Sequence, residues 1–67
     1  MDVWTRLCVD VTDTGEVIGA SYERHVDGER VAMGMARQGR WFGMHSALEE
    51  AKETAERDLG VQLLLWP

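Results

Sequence analysis

Apolar and polar residues alternate along the first half of the chain, and two short glycine-containing segments interrupt the alternation. The first is Asp13-Thr14-Gly15-Glu16, and the second is Asp27-Gly28. Glycine, and to a lesser degree aspartate, tolerates the positive φ angles that tight hairpin loops require. The pattern therefore predicts three strands joined by two hairpins, an antiparallel meander.

The two loops also predict which side chains share a face of the sheet. If Thr14-Gly15 and Asp27-Gly28 are two-residue loops, Leu7 pairs with Tyr22 and Tyr22 pairs with Met33. One face is then predicted to be apolar, with Leu7, Val9, Val11, Ile18, Ala20, Tyr22, Val31, Met33 and Met35. The opposite, outer face is predicted to carry Trp4, Arg6, Cys8, Asp10, Val17, Gly19, Ser21, Glu23, His25, Arg30, Ala32, Gly34 and Ala36.

The segment HSALEEAKETAERDLG predicts an amphipathic helix. Ser46 followed by Glu49 has the spacing of an N-terminal capping box, and Gly60 is placed to end the helix. An apolar stripe at helical spacing consists of Leu48, Ala51, Ala55 and Leu59. Because the stripe is rich in alanine, we expect the helix to pack close to the apolar face of the sheet.

The final segment, VQLLLWP, is apolar at both odd and even positions, which is typical of a strand covered on both sides. It predicts a fourth strand, paired either within the chain beside the first strand or with a second copy. Whether residues 40–44 form a separate strand is left open. The predicted architecture is one α+β domain over residues 1–67, in the order βββαβ, with the helix packed on one face of the meander.

Size and composition favour association with another chain. A domain of 67 residues buries a small core, and Cys8 is its only cysteine, so no intrachain disulfide can stabilise it. The N-terminus has no signal-peptide pattern, and with a lone cysteine this predicts a cytoplasmic protein without a membrane segment. The net charge of −5 disfavours binding to duplex nucleic acid.

The triplet Asp13-Thr14-Gly15 matches in three letters the active-site loop of aspartic proteases, which pair two such aspartates. Thr12 before it and Glu16 after it do not fit that loop, and the position between two strands favours a turn. Neither His25 nor His45 has a metal-ligand spacing with Cys8. We therefore expect neither a metal nor any other cofactor.

The stretch from Ser46 to about Glu56, a polar cap followed by an LEEA helix, resembles the corresponding region of HicB-type antitoxin domains. The resemblance implies a partial RNase H-like layout, a toxin as protein partner and assembly into oligomers. The Gly-Cys pair usual near the third strand of those domains is missing here. An RNase H-like enzyme would combine Asp10 with Glu49 or Glu50 and further acids, but the predicted last strand carries none.

The predicted function is that of a non-catalytic, small acidic protein-binding module. We expect a homodimer with an antitoxin-like role or a role as inhibitor of a basic partner, for which the acidic helix face offers Glu49, Glu53 and Glu56. The predicted contact residues are Trp4, Cys8, Gly19, Ser21, Ala32, Gly34, Ala36, Leu64 and Trp66. The alternative is a nucleic-acid-binding accessory module, which would use Arg6, Arg24, Arg30, Arg37, Arg40 and Trp41.

Overall fold

The fold combines a three-stranded antiparallel sheet with one helix, as the sequence predicts. The computed structural model describes residues 1–36, 41 and 43–63. Strands β1 (Val3–Val11), β2 (Val17–Val26) and β3 (Glu29–Met35) are followed by helix α1 (Met44–Leu59). The strand order in the sheet is β1-β2-β3, so that β2 is central and α1 covers one face.

The first hairpin turns through Asp13, Thr14 and Gly15. The Gly15 N–H donates to the Thr12 carbonyl at 2.9 Å, and the Thr12 N–H donates to the Glu16 carbonyl at 2.8 Å. Gly15 has a φ of 88°, the left-handed conformation that closes a three-residue loop. The triplet is therefore a hairpin tip, as predicted, although the loop contains three residues instead of two.

The second hairpin turns through Asp27 and Gly28, and this prediction is confirmed. Their φ angles are 51° and 85°, and two consecutive left-handed residues define the tight turn that matches the twist of antiparallel strands. The Asp27 carboxylate also accepts a hydrogen bond from the Asp2 N–H at 2.9 Å, which attaches the N-terminus of the chain to the loop.

A β-bulge at Val31 makes the predicted register between β2 and β3 wrong. His25 faces Arg30, but Arg24 faces Ala32, so that Val31 is an extra residue on β3. All side chains beyond the bulge exchange faces relative to the prediction. The corrected positions are those of Ala32, Gly34 and Ala36, which lie on the helix side, and of Met33 and Met35, which lie on the opposite side.

The register between β1 and β2 is as predicted over most of its length. Leu7 faces Tyr22, and Val9 faces Ala20. A second irregularity near the hairpin pairs Val11 with Val17, so the predicted pairing of Val11 with Ile18 is wrong. As a result Val17 is buried whereas Ile18 is 42% exposed, the reverse of the prediction.

The helix begins earlier than the capping box predicts. Its N-cap is Gly43, in extended conformation and without a side-chain hydrogen bond, and Ser46 lies exposed inside the first turn. The predicted C-terminus is confirmed, because Gly60 adopts a φ of 68° and its N–H donates to the Glu56 carbonyl. Such a left-handed residue closes the last turn of many helices.

The core between helix and sheet is built from small side chains. Ala47, Ala51 and Ala55 of α1 are fully buried, and Thr54 beside them is 7% exposed. They pack on sheet residues that include Val17, Ala20 and Ala36, with Leu7, Val9 and Trp41 half-buried at the border. The buried stripe is thus shifted from the predicted one, since Leu48 and Leu59 are only partly buried.

One large side chain, Tyr22, crosses this alanine-rich layer directly above Gly34. A Cβ atom at Gly34 would lie 2.5 Å from Cε1 of Tyr22 and 3.0 Å from a carboxylate oxygen of Asp58. The Tyr22 hydroxyl donates to that same oxygen of Asp58 at 3.0 Å. Burial, and then this hydrogen bond, raise the pKa of Tyr22 above 10.0. Glycine at position 34 therefore makes room for the ring.

The residues after α1 turn back onto the helix. Residues 61–63 are not part of a strand, and the Leu63 N–H donates to the Glu56 carboxylate at 2.8 Å. Lys52 Nζ contacts the same carboxylate at 3.1 Å. These two donors, the backbone N–H first, lower the pKa of Glu56 below 4.5. The rest of the predicted fourth strand lies outside the described residues, and this strand stays a prediction.

Candidate protein-binding surface

The sheet face opposite α1 is uncovered within the part of the chain that the structure describes, and we call it the open face. Register and contacts place eleven residues on it, in rows that run from β1 through β2 to β3. The rows are Trp4–His25–Arg30, Arg6–Glu23–Met33, Cys8–Ser21–Met35 and, on two strands only, Asp10–Gly19.

Large apolar side chains lie exposed on the open face. Met33 is 57% exposed, Met35 55% and Trp4 41%. In the row of Met35, the residues on the other two strands are small, Ser21 on β2 and Cys8 on β1, whereas Glu23 lies beside Met33. The surface is therefore low beside Met35 and raised by Met33 and Met35 along β3.

The charged groups of the open face are paired with each other around Glu23. Its carboxylate lies 3.0 Å from Arg30 Nη1, 3.4 Å from His25 Nε2 and 3.8 Å from Arg6 Nη1. The hydrogen bond from Arg30, followed by that from His25, lowers the pKa of Glu23 below 4.5. Glu23 is thus ionised at neutral pH, and its negative charge partly compensates the positive charges of Arg6 on β1 and Arg30 on β3.

An aromatic pair completes the open face at the end near the second hairpin. The rings of Trp4 and His25 stack with centroids 4.0 Å apart and an interplanar angle of 3°. The stack joins β1 to β2. Trp4 nevertheless remains 41% exposed.

The structure corrects the set of predicted contact residues. Trp4, Cys8, Gly19 and Ser21 lie on the open face, as predicted. Ala32, Gly34 and Ala36 lie on the helix side because of the bulge at Val31, so they cannot belong to the same surface. Leu64 and Trp66 are outside the described residues.

Sequence reasoning missed Met33 and Met35 as surface residues. The segment Val31–Ala36 alternates large and small side chains, and that pattern is compatible with either face. Only the close approach of an alanine-rich helix, which the sequence also indicates, could have assigned the small residues to the helix side. The face of β3 therefore follows only when the large–small alternation of the strand is combined with the alanine-rich stripe of the helix.

The residues predicted for nucleic-acid binding do not form one patch. Arg6 and Arg30 lie beside Glu23 on the open face, whereas Arg24 donates to the Thr5 hydroxyl at 2.7 Å on the helix side. Trp41 packs against the core, and its indole N–H is buried with no acceptor among the described residues. Arg37 and Arg40 lie outside the described residues.

The acids considered for metal-dependent chemistry are separated by the sheet. Asp10 lies on the open face next to Gly19, while Glu49 and Glu50 belong to α1 on the other side. Over residues 1–36, 41 and 43–63, no three His, Cys, Asp or Glu side chains are grouped closely enough to hold a metal ion.

No protein-family model matches the chain, and comparisons with curated proteins and solved structures find no significant match. Of the described elements, no helix is both long enough and apolar enough to span a membrane.

Proposed function

We propose that the protein is a non-catalytic protein-binding module that forms a homodimer through the open face of its sheet. The observation that carries the proposal is the exposure of Met33 and Met35, each more than half accessible, beside the small residues Cys8 and Ser21. Exposed apolar side chains grouped on one face are typical of interaction sites in soluble proteins.

The electrostatics of the open face support burial against a partner. Covering a sheet face removes its charges from water, and an unpaired buried charge costs several kcal/mol, which would oppose association. Here Arg6, His25 and Arg30 already surround Glu23 at 3.0–3.8 Å. A partner can therefore cover this face without supplying a counter-charge for Glu23.

A second copy supplies the apolar surface that one copy needs. Burying one methionine side chain contributes about 1.5–3 kcal/mol, while association costs roughly 4–15 kcal/mol in lost freedom of motion. In a two-fold arrangement each residue is used twice, so Trp4, Met33 and Met35 provide six large side chains. Two sheets packed face to face, about 10 Å apart, give such an arrangement.

Sedimentation equilibrium tests the proposal directly. We expect a particle of twice the 7.6 kDa chain mass at micromolar concentration. Substitution of both methionines, Met33→Lys with Met35→Lys, should shift the protein to a monomer because four charges would be buried in the dimer. Unchanged circular dichroism would show that the fold persists.

Met44 provides a matched control, because it is 53% exposed but lies at the start of α1, away from the open face. Met44→Lys should leave the dimer intact. A wild-type protein that stays monomeric at about 1 mM, a concentration at which even weak pairs associate, would contradict the proposal. A double Lys variant that remains dimeric would contradict the assignment to the open face.

The biological use that we propose for this module is capture of another protein, in an antitoxin-like or inhibitory role. The acidic charge of α1 supports a basic partner: the helix contains five acids, Glu49, Glu50, Glu53, Glu56 and Asp58, against Lys52 and Arg57. The open face is nearly balanced in charge, so the two sides of the sheet are suited to different partners.

A further inference from the structure

We propose that the protein has a second binding site, at which an extended and positively charged peptide segment adds to the edge of β3 as a fourth strand. The site is the groove between β3 and α1. The added strand would bond to the backbone edge of β3 and place its basic side chains on the helix side, so the proposal does not depend on the homodimer, although its other side chains would border the open face.

Backbone groups at this edge are oriented away from the sheet. The Ala36 N–H donates to the Ala20 carbonyl at 2.8 Å, which makes Ala20 and Ala36 a hydrogen-bonded pair of the ladder. Since such pairs alternate along antiparallel strands, Gly34 also bonds to β2, and the N–H and C=O groups of Met33 and Met35 point outward. Among the described strands, β3 has no neighbour on that side.

A groove between α1 and the end of β3 borders this edge at Met35 and Ala36. Its volume is about 320 Å³, and it is lined by Met35, Ala36, Glu50, Glu53, Thr54 and Arg57. An added strand would place alternate side chains into this groove and the others beside Met33 and Met35 on the open face. Main-chain bonds to an edge strand, with pockets for alternate side chains, are a recurrent mode of peptide recognition.

The charge of the groove selects the chemistry of the peptide. Exposed Glu53 lines its helix wall, and α1 as a whole contributes a net −3, from five acids and two bases, to the chain total of −5. Among the described residues that line the groove, the cation is Arg57, whose Nε lies 3.6 Å from the Asp58 carboxylate. Lys or Arg side chains at every second position of the peptide fit this wall.

The same charge disfavours a second copy in the groove. Antiparallel pairing of β3 with β3 would bring two α1 helices, each of net negative charge, to the same side of the joined sheet, where they repel one another. The peptide that fits therefore alternates basic residues toward α1 with apolar residues toward the methionines.

The test uses a capped hexapeptide of alternating lysine and valine, titrated into the full-length protein at low salt and followed by NMR. We expect saturable shifts of the Met33 and Met35 amide signals, and weaker binding at high salt. Alternating glutamate and valine should not bind. Alternating lysine and proline has the same charge but lacks the N–H groups that would face Met33 and Met35, and it should not bind either.

Variants of the protein separate this site from the open face. N-methylation of Met35 by chemical synthesis removes its outward N–H and keeps its side chain, and should weaken peptide binding at least about fivefold while the dimer persists. Glu53→Gln should weaken binding about twofold to fivefold. Asp13→Asn is the matched control, since Asp13 lies at the tip of the first hairpin and does not line the groove, and should have no effect.

Three results would overturn the proposal: equal affinity for the lysine and glutamate peptides, undiminished binding by the N-methylated protein, or no binding at millimolar peptide. A concentration-dependent shift of the amides at positions 33 and 35 that persists without peptide in the double Lys variant would also overturn it, because the open-face dimer is absent there and a second copy would then occupy the edge. Loss of the dimer in the Lys variants at Met33 and Met35 tests only the open face.

Discussion

The two faces of the sheet are made by the same three strands, yet they carry side chains of different size. On the helix side, contacts are made by alanine methyl groups and by the hydrogen atoms of Gly34, so α1 lies close to the strands. On the open face, Met33, Met35 and Trp4 extend outward. One inserted residue, Val31, decides which half of β3 belongs to which face.

The comparison explains why the exposed methionines do not pack in the core. A helix whose buried positions are Ala47, Ala51 and Ala55 approaches the sheet too closely for a methionine beneath it. The bulge resolves this conflict by directing the small residues of β3 inward. Exposed apolar surface on the open face is the consequence, and it is the surface for which we propose a partner.

The largest expected effect is the loss of stability caused by a substitution at Gly34, the glycine on the helix side. Gly34→Ala should destabilise the protein by about 1–3 kcal/mol, because the new Cβ would overlap the Tyr22 ring, which its hydrogen bond to Asp58 holds in place. For a domain of this size that corresponds to a fall in Tm of about 4–8 °C per kcal/mol. Thermal unfolding by circular dichroism measures it.

Gly19→Ala is the control on the open face. Its new Cβ would approach Asp10 Oδ2 at 2.8 Å, but Asp10 is exposed and its carboxylate can rotate away. We expect the free energy of unfolding to change by less than about 0.5 kcal/mol. Equal destabilisation by the two substitutions would contradict the difference in packing between the faces.

A smaller effect is expected from Tyr22→Phe on the helix side. Loss of the hydroxyl leaves Asp58 without this donor and should cost about 1 kcal/mol at neutral pH. Because the folded state raises the pKa of Tyr22, its contribution is complete below pH 10.0 and is lost as the pH rises through the folded-state pKa. The stability difference between wild type and variant should therefore narrow above pH 10.0. Urea unfolding at several pH values would show it, and a constant difference would contradict it.

The smallest effect is expected from Glu23→Gln on the open face. Since folding lowers the pKa of Glu23, its contribution is present above pH 4.5 and is lost as the pH falls through the folded-state pKa. The difference in free energy of unfolding between wild type and variant should therefore become smaller as the pH falls below 4.5. It should also be smaller at high salt, because Arg6 and Arg30 are exposed and their interaction with Glu23 is screened. Acid titration of unfolding in two salt concentrations measures this. A difference that is independent of pH would mean that Glu23 acts through packing.

Local sequence signals correctly indicated most of the elements. Both hairpin positions follow from residues that tolerate positive φ, namely Gly15, Asp27 and Gly28, and Gly60 ends the helix for the same reason. The pairs Leu7–Tyr22 and Val9–Ala20 match the prediction because a bulge at Ile18 offsets the extra residue of the first loop. The N-terminus of α1 was misplaced, because Ser46 has the residue type of a cap while the chain already becomes helical after Gly43.

The candidate site was only half predictable. Trp4 and Cys8 on β1, and Gly19 and Ser21 on β2, are on the predicted face because the register between these two strands is unbroken from the Val3–Val26 pair to the Asp10–Gly19 pair. The third strand was placed with its faces reversed, since no residue type marks Val31 as a bulge and one inserted residue inverts every position after it.

The sequence by itself determined the turns, the strands they join, the helix and the acidic character of that helix, because each depends on local conformational preference or on composition. The tertiary structure alone decided which side of β3 faces the helix. That choice depends on the distance between two elements far apart in the chain, and only a packed alanine helix with Tyr22 above Gly34 makes the bulged register the one that fits.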